Sequence, residues 1–490
     1  MHTLRSIIAI SIFASFAPNA VNAFAAEDDF ELPDLPQPPQ ATTAPASDTA
    51  IDGATAEVAP AKDAPKDAFK DASKGASAKN VPEQSDYDGP VNFAPIEATT
   101  LSGPQKEPPA SRPHKAQGSG EIVPKKIPEN LNRPLQVGVF VGVKELYLRL
   151  EGETIHMTAA GNKVKFQGKE NSATLDHKEI HGEGKCISIA PTTRELSTSC
   201  YPGHFYVSAN KGLVNAVNIV DVEDYLRGVV PYEIGKLDES KFEALKAQAV
   251  AARTYAYKHF GSRKNQGFDV YADTRDQVYK GLHSSTEITD KSVRETEGVV
   301  MTYNGEFITA YYHSTCGGQT EGVVTWGRPD HPYLQSKPDL RPDGTPWCRE
   351  SNYTEWTREF TEDELCDLFQ TNAKEAKANV PSFSSIHSIS ILDTLKSGRI
   401  HILEISTNNG KFTAKADKIR WLFKRGGTIL PSCFFRIHRS GNQWILKGKG
   451  FGHGVGLCQM GARARAQAGQ SYIQILTHYY PGITLEKFTR

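Results

Sequence analysis

Residues 240–256 read SKFEALKAQAVAARTYA and carry the clearest helical pattern in the sequence. Apolar side chains recur there at spacings of three and four residues, at Phe242, Leu245, Ala249, Ala252 and Ala256. This spacing predicts an amphipathic helix whose alanine-rich face packs closely against a core. Ser240 and Glu243 fit the capping-box pattern at its start. The sequence therefore predicts a core helix at this point of the chain.

Two cations of this helix, Lys246 and Arg253, are seven residues apart and lie almost directly above one another. In one interpretation they form a solvated flank, with their aliphatic stems covering apolar surface. In the other they point into a cleft that also holds Glu233. The spacing alone leaves both interpretations open.

Glu233 ends the stretch 225–233, YLRGVVPYE, shortly before the helix. The apolar residues at 229–232 would raise the pKa of its carboxyl group and keep it protonated near neutral pH. A single acid in such a turn, with glycine loops that bear histidine elsewhere in the chain, is typical of acid–base chemistry on a sugar polymer. We therefore take Glu233 as the candidate catalytic residue.

Short alternating segments predict strands on both sides of this region. Residues 136–143 and 146–150 begin a β-rich part that continues to about residue 221. Later, Asn304-Gly305 between apolar segments predicts a β-hairpin. The predicted fold class is α+β, a β-rich core with several packed helices around a substrate cleft, preceded by a long disordered arm.

Two loops carry the candidate histidines. The second hairpin strand leads into 313–318, HSTCGG, where polar side chains beside flexible glycines are typical of a ligand-facing loop. A hydrogen-bonded structural role for His313 is the alternative. In 450–456, GFGHGVG, glycine alternates with other residues. On a strand this would leave one face bare, open to a ligand or to another backbone.

The glycine loop 450–456 is not expected to bind a dinucleotide, because it lacks a βαβ context and a downstream acidic partner. Two helices are predicted after it, opening at residues 457–462 and spanning residues 471–480, with Pro481-Gly482 ending the second.

The N-terminal part of the chain is of a different kind. Residues 1–25 have a weakly basic start, a short apolar run and small residues, which predicts a cleaved signal peptide and an exported protein. Residues 26–133 hold 16 of the 29 prolines and no cysteine, which predicts a disordered linker. The remaining boundaries are 134–222, the β-rich part, and 223–490, the catalytic part.

The charged residues are balanced, 56 basic against 57 acidic, so no overall field points to nucleic acid or to an anionic membrane surface. The seven cysteines of an exported chain predict disulfides, with Cys186–Cys200 and Cys316–Cys348 as the most local pairs and one cysteine left over. No cofactor is predicted. Zinc near His313 and Cys316 is the lesser alternative, since two ligands are too few.

Several separated motifs resemble, in the same order, those of the SpoIID (stage II sporulation protein D) and amidase-enhancer family, from about residue 134 to 488. They are 229–233 (VVPYE), 244–255 (ALKAQAVAARTY), 276–281 (DQVYKG), 313–318 (HSTCGG) with Thr320-Glu321, and 452–456 (GHGVG). The chain departs from the family at Ile234, where Met is usual, at residues 236–239, and by insertions around 371–387. These departures bear on substrate preference more than on chemistry.

The resemblance implies a peptidoglycan lytic transglycosylase that favours glycan strands stripped of their peptides. The catalytic acid of the family falls on Glu233. The expected substrate-binding residues are Lys246, Gln248, Arg253, Tyr255, Gln277, Tyr279, His313, Ser314, Thr315, Gly452, His453 and Gln459. Because a cation close to Glu233 would lower its pKa, we expect Lys246 and Arg253 to contact the substrate at a distance from that carboxyl group.

A lone carboxyl group suits this chemistry, because hydrolytic glycosidases generally need two. The alternative function is a non-catalytic glycan-binding protein that stimulates a cell-wall amidase, the partner this would imply. An exported structural scaffold is a third, weaker interpretation. The expected location is the periplasm, or the cell wall after secretion.

Overall fold

The computed structural model describes residues 122–169, 172–182 and 186–489. The predicted signal peptide and most of the predicted linker lie outside these residues. Within them, no helix combines the length and the apolar character that a membrane span requires.

The strands of the described ranges are β1 (Val123–Lys126), β2 (Leu135–Val143), β3 (Glu145–Leu150), β4 (Glu153–Ala160), β5 (Lys163–Gln167), β6 (Ala173–Leu175), β7 (His177–His181), β8 (Ser188–Ala190), β9 (His204–Asn210), β10 (Leu213–Val220), β11 (Val270–Tyr271), β12 (Val299–Tyr303), β13 (Glu306–Phe307), β14 (Tyr312–His313), β15 (Trp356–Thr361), β16 (Ile386–Thr394), β17 (Ile400–Thr407), β18 (Gly410–Lys415), β19 (Phe435–Ser440), β20 (Gln443–Gly448), β21 (Leu457–Cys458) and β22 (Thr484–Thr489).

The α helices of the same ranges are α1 (Thr193–Leu196), α2 (Val222–Arg227), α3 (Val230–Glu233), α4 (Phe242–Lys258), α5 (Glu287–Glu295), α6 (Glu362–Asn372), α7 (Ile419–Leu422), α8 (Gln459–Gln467) and α9 (Tyr472–Tyr479). Short 3-10 helices lie at Glu129–Leu131, Glu239–Lys241, Lys264–Gln266, Val323–Trp326 and Ala416–Lys418. This mixture of helices and strands confirms the α+β prediction.

The part predicted to be β-rich, residues 134–222, contains the strands β2 to β10. Its strands lie in two sheets, ordered β6-β5-β4-β3-β8 and β11-β2-β10-β9-β7, and the second sheet also takes in β11, which comes after α4. A disulfide joins Cys186 to Cys200, the most local pair that the sequence indicated. The second sheet leads through β10 and α2 into α3, so the β-rich part sets the position from which Glu233 projects.

Helix α4 confirms the central prediction, because it spans the predicted segment and nearly all of its residues from Ala244 to Tyr257 are buried. The predicted capping box is wrong. Asp238 accepts a hydrogen bond from the backbone N–H of Ser240 and starts a 3-10 turn, which then runs directly into α4. The first residue of α4, Phe242, follows Lys241, whose side chain makes no capping hydrogen bond.

A third sheet, β1-β22-β12-β13, joins the first and the last of the described strands. The hairpin at Asn304-Gly305 is confirmed, because Tyr303 pairs with Glu306 across it. The predicted linker ended at residue 133, yet β1 lies inside it and pairs in parallel with β22. Backbone pairing with the last strand thus orders a segment that has little apolar content of its own.

The described residues form two hydrophobic cores. The first contains the β-rich part, α4 and the C-terminal helices, and its buried members skip from Cys348 to Val455. The second is built from residues between Trp356 and Leu446 and uses the sheets β15-β20-β19 and β16-β17-β18 with α6 and α7. The sequence indicated an insertion only around 371–387, whereas this whole segment packs around a core of its own.

Candidate active site

Glu233 is the last residue of α3, a single helical turn whose Val230 and Pro231 are buried. The Glu233 side chain is partly exposed, whereas Val229 and Ile234 beside it are buried. One carboxylate oxygen, Oε1, accepts a hydrogen bond of 2.7 Å from the backbone N–H of Val278. The acid is thus held by the DQVYKG motif, while Glu233 as a whole residue stays partly exposed.

The two histidine-bearing loops meet at this carboxyl group. Strands β14 and β21 pair in parallel, with Tyr312 opposite Leu457 and His313 opposite Cys458. The side chains of Tyr312 and Gln459, at the edges of this pair, lie close enough to Glu233 to lower the pKa of its carboxyl group as hydrogen-bond donors. Segments far apart in the sequence therefore place two polar side chains on one acid.

The pKa of Glu233 is raised from its ordinary value of 4.5 to about 7. Burial is the largest cause, because it penalises the charged carboxylate. The hydrogen bonds from Val278, Tyr312 and Gln459 lower the pKa and offset part of that effect. Near neutral pH the group exists in both protonation states, which is the condition for a residue that first donates a proton and later takes one.

Two glutamine side chains, Gln277 and Gln248, hydrogen-bond to the Tyr312 and Gln459 side chains. Gln277 Nε2 donates to the Tyr312 hydroxyl at 3.1 Å, and Gln277 Oε1 accepts from the Tyr225 hydroxyl at 3.1 Å. Gln459 Nε2 lies 3.4 Å from Gln248 Oε1, to which it donates. Gln248 Nε2 is buried and has no hydrogen-bond partner among the described residues. The predicted residues Gln248 and Gln277 therefore lie one layer behind the groups that touch Glu233.

Both candidate histidines are neutral near pH 7. Burial lowers the pKa of His453 to about 4 and lowers the pKa of His313 well below its ordinary value. His453 Nδ1 accepts from the backbone N–H of Val455 at 3.0 Å, and His313 Nδ1 lies 3.1 Å from the Val455 carbonyl, to which it donates. The first bond lies within the glycine loop, and the second joins that loop to the HSTCGG loop. The structural alternative that the sequence left open for His313 describes its contacts well.

The His453 ring also belongs to an aromatic group. It lies 5.0 Å from the Trp326 ring, and Trp326 lies 5.0 Å from Tyr311. Trp326 and His453 are partly exposed. Partly exposed rings are a common means of binding a sugar, since each presents an apolar surface. Trp326 is a residue that sequence reasoning missed.

Ser314 and Thr315 hold the HSTCGG loop rather than Glu233. Thr315 is buried, and its hydroxyl lies 2.8 Å from the Ser351 hydroxyl. The Ser314 carbonyl accepts from the backbone N–H of Met460 at 3.0 Å, which ties this loop to the start of α8. Ser314 is only partly buried and remains the more accessible of the two.

The structure does not bring Arg253 to Glu233. Its side chain is fully buried and donates to both carboxylate oxygens of Glu223, at 2.8 and 2.6 Å, and to the carbonyls of Val293 and Val299. Val293 and Val299 are buried, whereas the Glu223 side chain is partly exposed. Contact between Arg253 and a substrate would require this network to open.

Lys246 is also held by internal partners. Its ammonium group lies 2.8 Å from Glu243 and 3.3 Å from Glu295, and over the rings of Phe242 and Tyr472. Some 14% of its side chain is exposed, so an anionic substrate group could reach it only by competing with two carboxylates. Its pKa is raised because the hydrogen bonds and charges of these carboxylates outweigh the effect of burial.

The two predicted tyrosines point inward. The Tyr279 hydroxyl donates to Asn218 Oδ1 at 2.8 Å, and the Tyr255 hydroxyl donates to Asp276 Oδ1 at 2.9 Å. Both side chains are almost fully buried. They brace the DQVYKG motif that supplies the Val278 N–H and do not themselves face the acid.

The glycine loop 450–456 is not the predicted strand, because Gly450, Gly452, Gly454 and Gly456 all have positive φ angles between 72° and 102°. The sequence analysis left a ligand or another backbone as the occupant of the space beside these glycines. Protein groups fill that space. A Cβ on Gly452 would stand 3.0 Å from His313 Cβ, and one on Gly456 would overlap the Tyr311 carbonyl oxygen. The glycines permit close packing of the two loops.

Arg399, from the second core, lies against this packing. It is 1% exposed, donates to the carbonyls of Gln319 and Cys316 at 2.9 Å each, and fills the space where Gly454 would carry a side chain. Sequence reasoning missed Arg399 and Tyr312. Tyr312 directly precedes the HSTCGG motif and carried a visible signal, whereas Arg399 belongs to the inserted segment and carried none.

Comparison with known proteins identifies two matching regions. A family model described as stage II sporulation protein (SpoIID) matches residues 210–303, which contain Glu233 and α4. A second model, described as a domain of unknown function (DUF8618), matches residues 344–456, which contain the second core and the glycine loop. The first match thus lies in the part of the chain that forms the first core, and most of the second match lies in the segment that forms the second core.

Similar proteins are found among curated sequences. An uncharacterized protein of Brachyspira hyodysenteriae is 32% identical over 293 residues, 59% of this chain and 73% of the relative. The amidase enhancer of Bacillus subtilis is 32% identical over 295 residues, 54% of this chain and 40% of the relative. Stage II sporulation protein D of Bacillus subtilis is 29% identical over 342 residues, 66% of this chain and 90% of the relative.

Proposed function

Because the chain belongs to the SpoIID and amidase-enhancer family, we propose that it is a peptidoglycan lytic transglycosylase with Glu233 as its only acid–base residue. The substrate is the glycan strand, preferably stripped of peptides, and the bond broken joins MurNAc to GlcNAc. The observation that carries the proposal is Glu233, a partly exposed residue whose carboxyl pKa is raised to about 7, which accepts a 2.7 Å hydrogen bond from the Val278 N–H and has the Tyr312 and Gln459 side chains beside it.

The reaction balances with one carboxyl group. Protonated Glu233 gives its proton to the glycosidic oxygen, and the bond from that oxygen to C1 of MurNAc breaks. The C6 hydroxyl oxygen of the same sugar bonds to C1, and its proton passes to the Glu233 carboxylate. The products are a GlcNAc hydroxyl end and a 1,6-anhydro-MurNAc end, and neither water nor a protein nucleophile takes part.

The donors around Glu233 suit the carboxylate stage of this cycle. Tyr312, Gln459 and the Val278 N–H stabilise the negative charge after the first proton transfer, since each lowers the pKa of Glu233. Burial does the reverse and favours the protonated starting form. The two influences leave the pKa near the pH at which the protein would work.

In the part of the chain that the structure describes, the acidic residue of the neighbouring motif is not free to share this role. Asp276, in the neighbouring DQVYKG motif, has a fully buried side chain that pairs with Arg263 at 3.0 Å. It also accepts hydrogen bonds from the Tyr271 N–H at 2.7 Å and the Tyr255 hydroxyl at 2.9 Å. With its oxygens occupied in this way, Asp276 is a structural acid and supports a mechanism that uses Glu233 alone.

The proposal places the protein outside the cytoplasm, in the periplasm or, after secretion, at the cell wall. The predicted signal peptide and the Cys186–Cys200 disulfide both support this location, because disulfides persist in oxidising compartments.

The test is product analysis on peptide-free glycan strands by mass spectrometry. The mature protein should release fragments with 1,6-anhydro-MurNAc ends, and Glu233→Gln should release none. Glu239→Gln is the matched control, because Glu239 is an exposed glutamate a few residues away. Equal turnover by Glu233→Gln and the wild type would remove this residue from the mechanism.

A second function is favoured by the relative named amidase enhancer. In this alternative the protein binds glycan strands without cutting them and stimulates a cell-wall amidase. Strands that co-sediment with the protein but keep their length would support the alternative. An increase in peptide release when the protein is added to a purified amidase would then identify the partner.

A further inference from the structure

Three cysteines that the proposed reaction does not use lie together beside the active-site loops. Cys316 belongs to the HSTCGG loop, Cys458 ends β21, and Cys348 lies shortly before the second core. All three are fully buried. Their sulfur atoms lie within 4.8 Å of one another, and Cys316 Sγ is 3.7 Å from Cys348 Sγ.

These separations suit a shared metal ion. Two thiolates bound at about 2.3 Å to one tetrahedral zinc ion are roughly 3.8 Å apart, close to the Cys316–Cys348 separation. A disulfide needs sulfur atoms at about 2 Å. Metal ions can be held by groups of three or more cysteine, histidine, aspartate or glutamate side chains. Among the described residues, these three cysteines form the one such group whose ligand atoms are close enough to share an ion.

The backbone is arranged to stabilise thiolates. The Cys316 N–H donates to Cys458 Sγ at 3.2 Å, the Gly318 N–H to Cys316 Sγ at 3.3 Å, and the Gly461 N–H to Cys458 Sγ at 3.3 Å. Cys458 is also the N-cap of α8, where the helix dipole favours negative charge. Hydrogen-bond donors aimed at sulfur offset the cost of burying its charge.

A carboxylate adds negative charge beside the trio. Asp339 Oδ2 lies 3.3 Å from Cys316 Sγ, and the whole side chain is buried. Arg465 and His478 hold its other oxygen at 2.7 and 3.1 Å. Buried acids next to buried thiols favour a cation between them, since protein cations balance only part of this charge.

We propose that Cys316, Cys348 and Cys458 bind a thiophilic metal ion, for which zinc is the ion to test. Soft thiolate ligands select zinc or copper(I) over calcium or magnesium. Each thiol that ligates the ion releases its proton to solvent, and no sulfur is oxidised. His313 is not part of this ligand set, because its ring bonds Val455 and lies outside the trio.

The ion would have a positioning role at the active site. Cys316 follows Tyr312 on the chain that leaves β14, and Cys458 directly precedes Gln459. A metal bound to both cysteines would fix the register of the two strands that supply Tyr312 and Gln459 to Glu233. Cys348 would attach the segment that leads into the second core.

The experiment measures bound metal by inductively coupled plasma mass spectrometry on the mature protein, purified from the export compartment and equilibrated with zinc. We expect about one thiophilic ion per chain. Cys316→Ala, Cys348→Ala and Cys458→Ala should each lose it. Cys366→Ala and Cys433→Ala are the matched controls, because both are buried free cysteines of the second core, and they should keep it.

A second measurement uses the unaltered protein, in case the variants do not fold. Cobalt(II) in place of zinc should produce intense thiolate-to-cobalt charge-transfer absorption. After denaturation with a chelator, the five cysteines outside the Cys186–Cys200 disulfide should all react with a thiol reagent. Absence of metal, or two fewer reactive thiols owing to a Cys316–Cys348 disulfide, would overturn the proposal. Neither result would affect the product analysis, which tests Glu233 separately.

Discussion

Helix α4 buries polar side chains in two different settings. Towards the active site, Gln248 bonds Gln459 through its oxygen, while its nitrogen has no partner among the described residues. Elsewhere on the same helix, Arg253 donates to Glu223 and to backbone carbonyls, in a network with partners on several elements. In the first setting, on the side of the partly exposed Glu233, a buried side-chain N–H makes no hydrogen bond. In the second setting, the guanidinium donors of Arg253 bond to other groups of the protein.

This difference distinguishes a functional polar cluster from a structural one. Buried polar groups are normally satisfied, so the unsatisfied donor of Gln248, one layer behind the groups that touch Glu233, marks a place where the fold accepts a cost. The raised pKa of Glu233 is a second cost at the same place. Arg253 resembles the family's functional arginine in sequence, yet its contacts are those of a residue that holds helices and loops together.

The largest expected effect is on turnover. Glu233→Gln should reduce the rate of anhydro-product release by about 10³-fold or more, because general acid–base catalysis is worth roughly 10² to 10⁴ and the oxygens of the neighbouring Asp276 are already occupied. Initial rates on peptide-free strands measure this. A reduction of less than about tenfold would show that Glu233 is not the essential acid–base residue, and the first setting could then not be called functional.

Arg253 should instead affect folding. Arg253→Met leaves Glu223 and two carbonyls without their donor, and breaking a buried ion pair costs about 3–5 kcal/mol in the free energy of unfolding. Urea denaturation measures the loss. Lys258→Met, an exposed cation at the end of α4, is the control and should change stability by less than about 0.5 kcal/mol. If Arg253→Met folds with normal stability but binds glycan weakly, the functional interpretation of Arg253 stands.

Glu233→Gln should also change how stability depends on pH. The folded pKa of about 7 exceeds the ordinary 4.5, so the folded state holds this proton more tightly than the unfolded chain. The group's contribution to stability is complete below pH 4.5 and is lost as the pH rises to 7. The glutamine variant should therefore be more stable than the wild type at pH 8, by up to roughly 3 kcal/mol, and not at pH 4. Identical curves at both pH values would contradict the raised pKa.

A smaller effect is expected from Tyr312→Phe. Loss of one hydrogen bond to the ionised carboxylate should raise the pKa of Glu233, by an energy of about 1.5 kcal/mol. Wild-type activity should fall as the pH rises above about 7, because the acid must start protonated, and in the variant this fall should move to higher pH. Tyr255→Phe is the control, since its hydroxyl bonds Asp276 instead. An unmoved profile would exclude Tyr312 from the site.

The sequence predicted the elements that depend on local pattern. The apolar spacing of residues 242–256 located α4, and Asn304-Gly305 located the hairpin. The capping box failed because Asp238 caps a 3-10 turn upstream. The glycine strand failed because alternation at 450–456 reflects positive φ angles and backbone packing, which look the same in sequence as a bare strand face.

The parts of the site that sequence missed depend on contacts between distant segments. Tyr312 reaches Glu233 only because β14 pairs with β21, and no local pattern encodes that pairing. Arg399 comes from the second core, and the cysteine trio joins three separate stretches of chain. The sequence instead favours a Cys316–Cys348 disulfide, with zinc near His313 and Cys316 as the lesser alternative. That disulfide prediction is wrong in this structure, where both cysteines are free and their sulfur atoms lie 3.7 Å apart.

The central claim is that one carboxyl group cuts the glycan without water. Digestion of peptide-free strands in water enriched in oxygen-18, followed by mass spectrometry of the new ends, measures this directly. The account predicts 1,6-anhydro-MurNAc ends that contain no oxygen-18. Reducing MurNAc ends that carry one oxygen-18 atom would show hydrolysis, and strands left intact would show binding alone, and either result would contradict it.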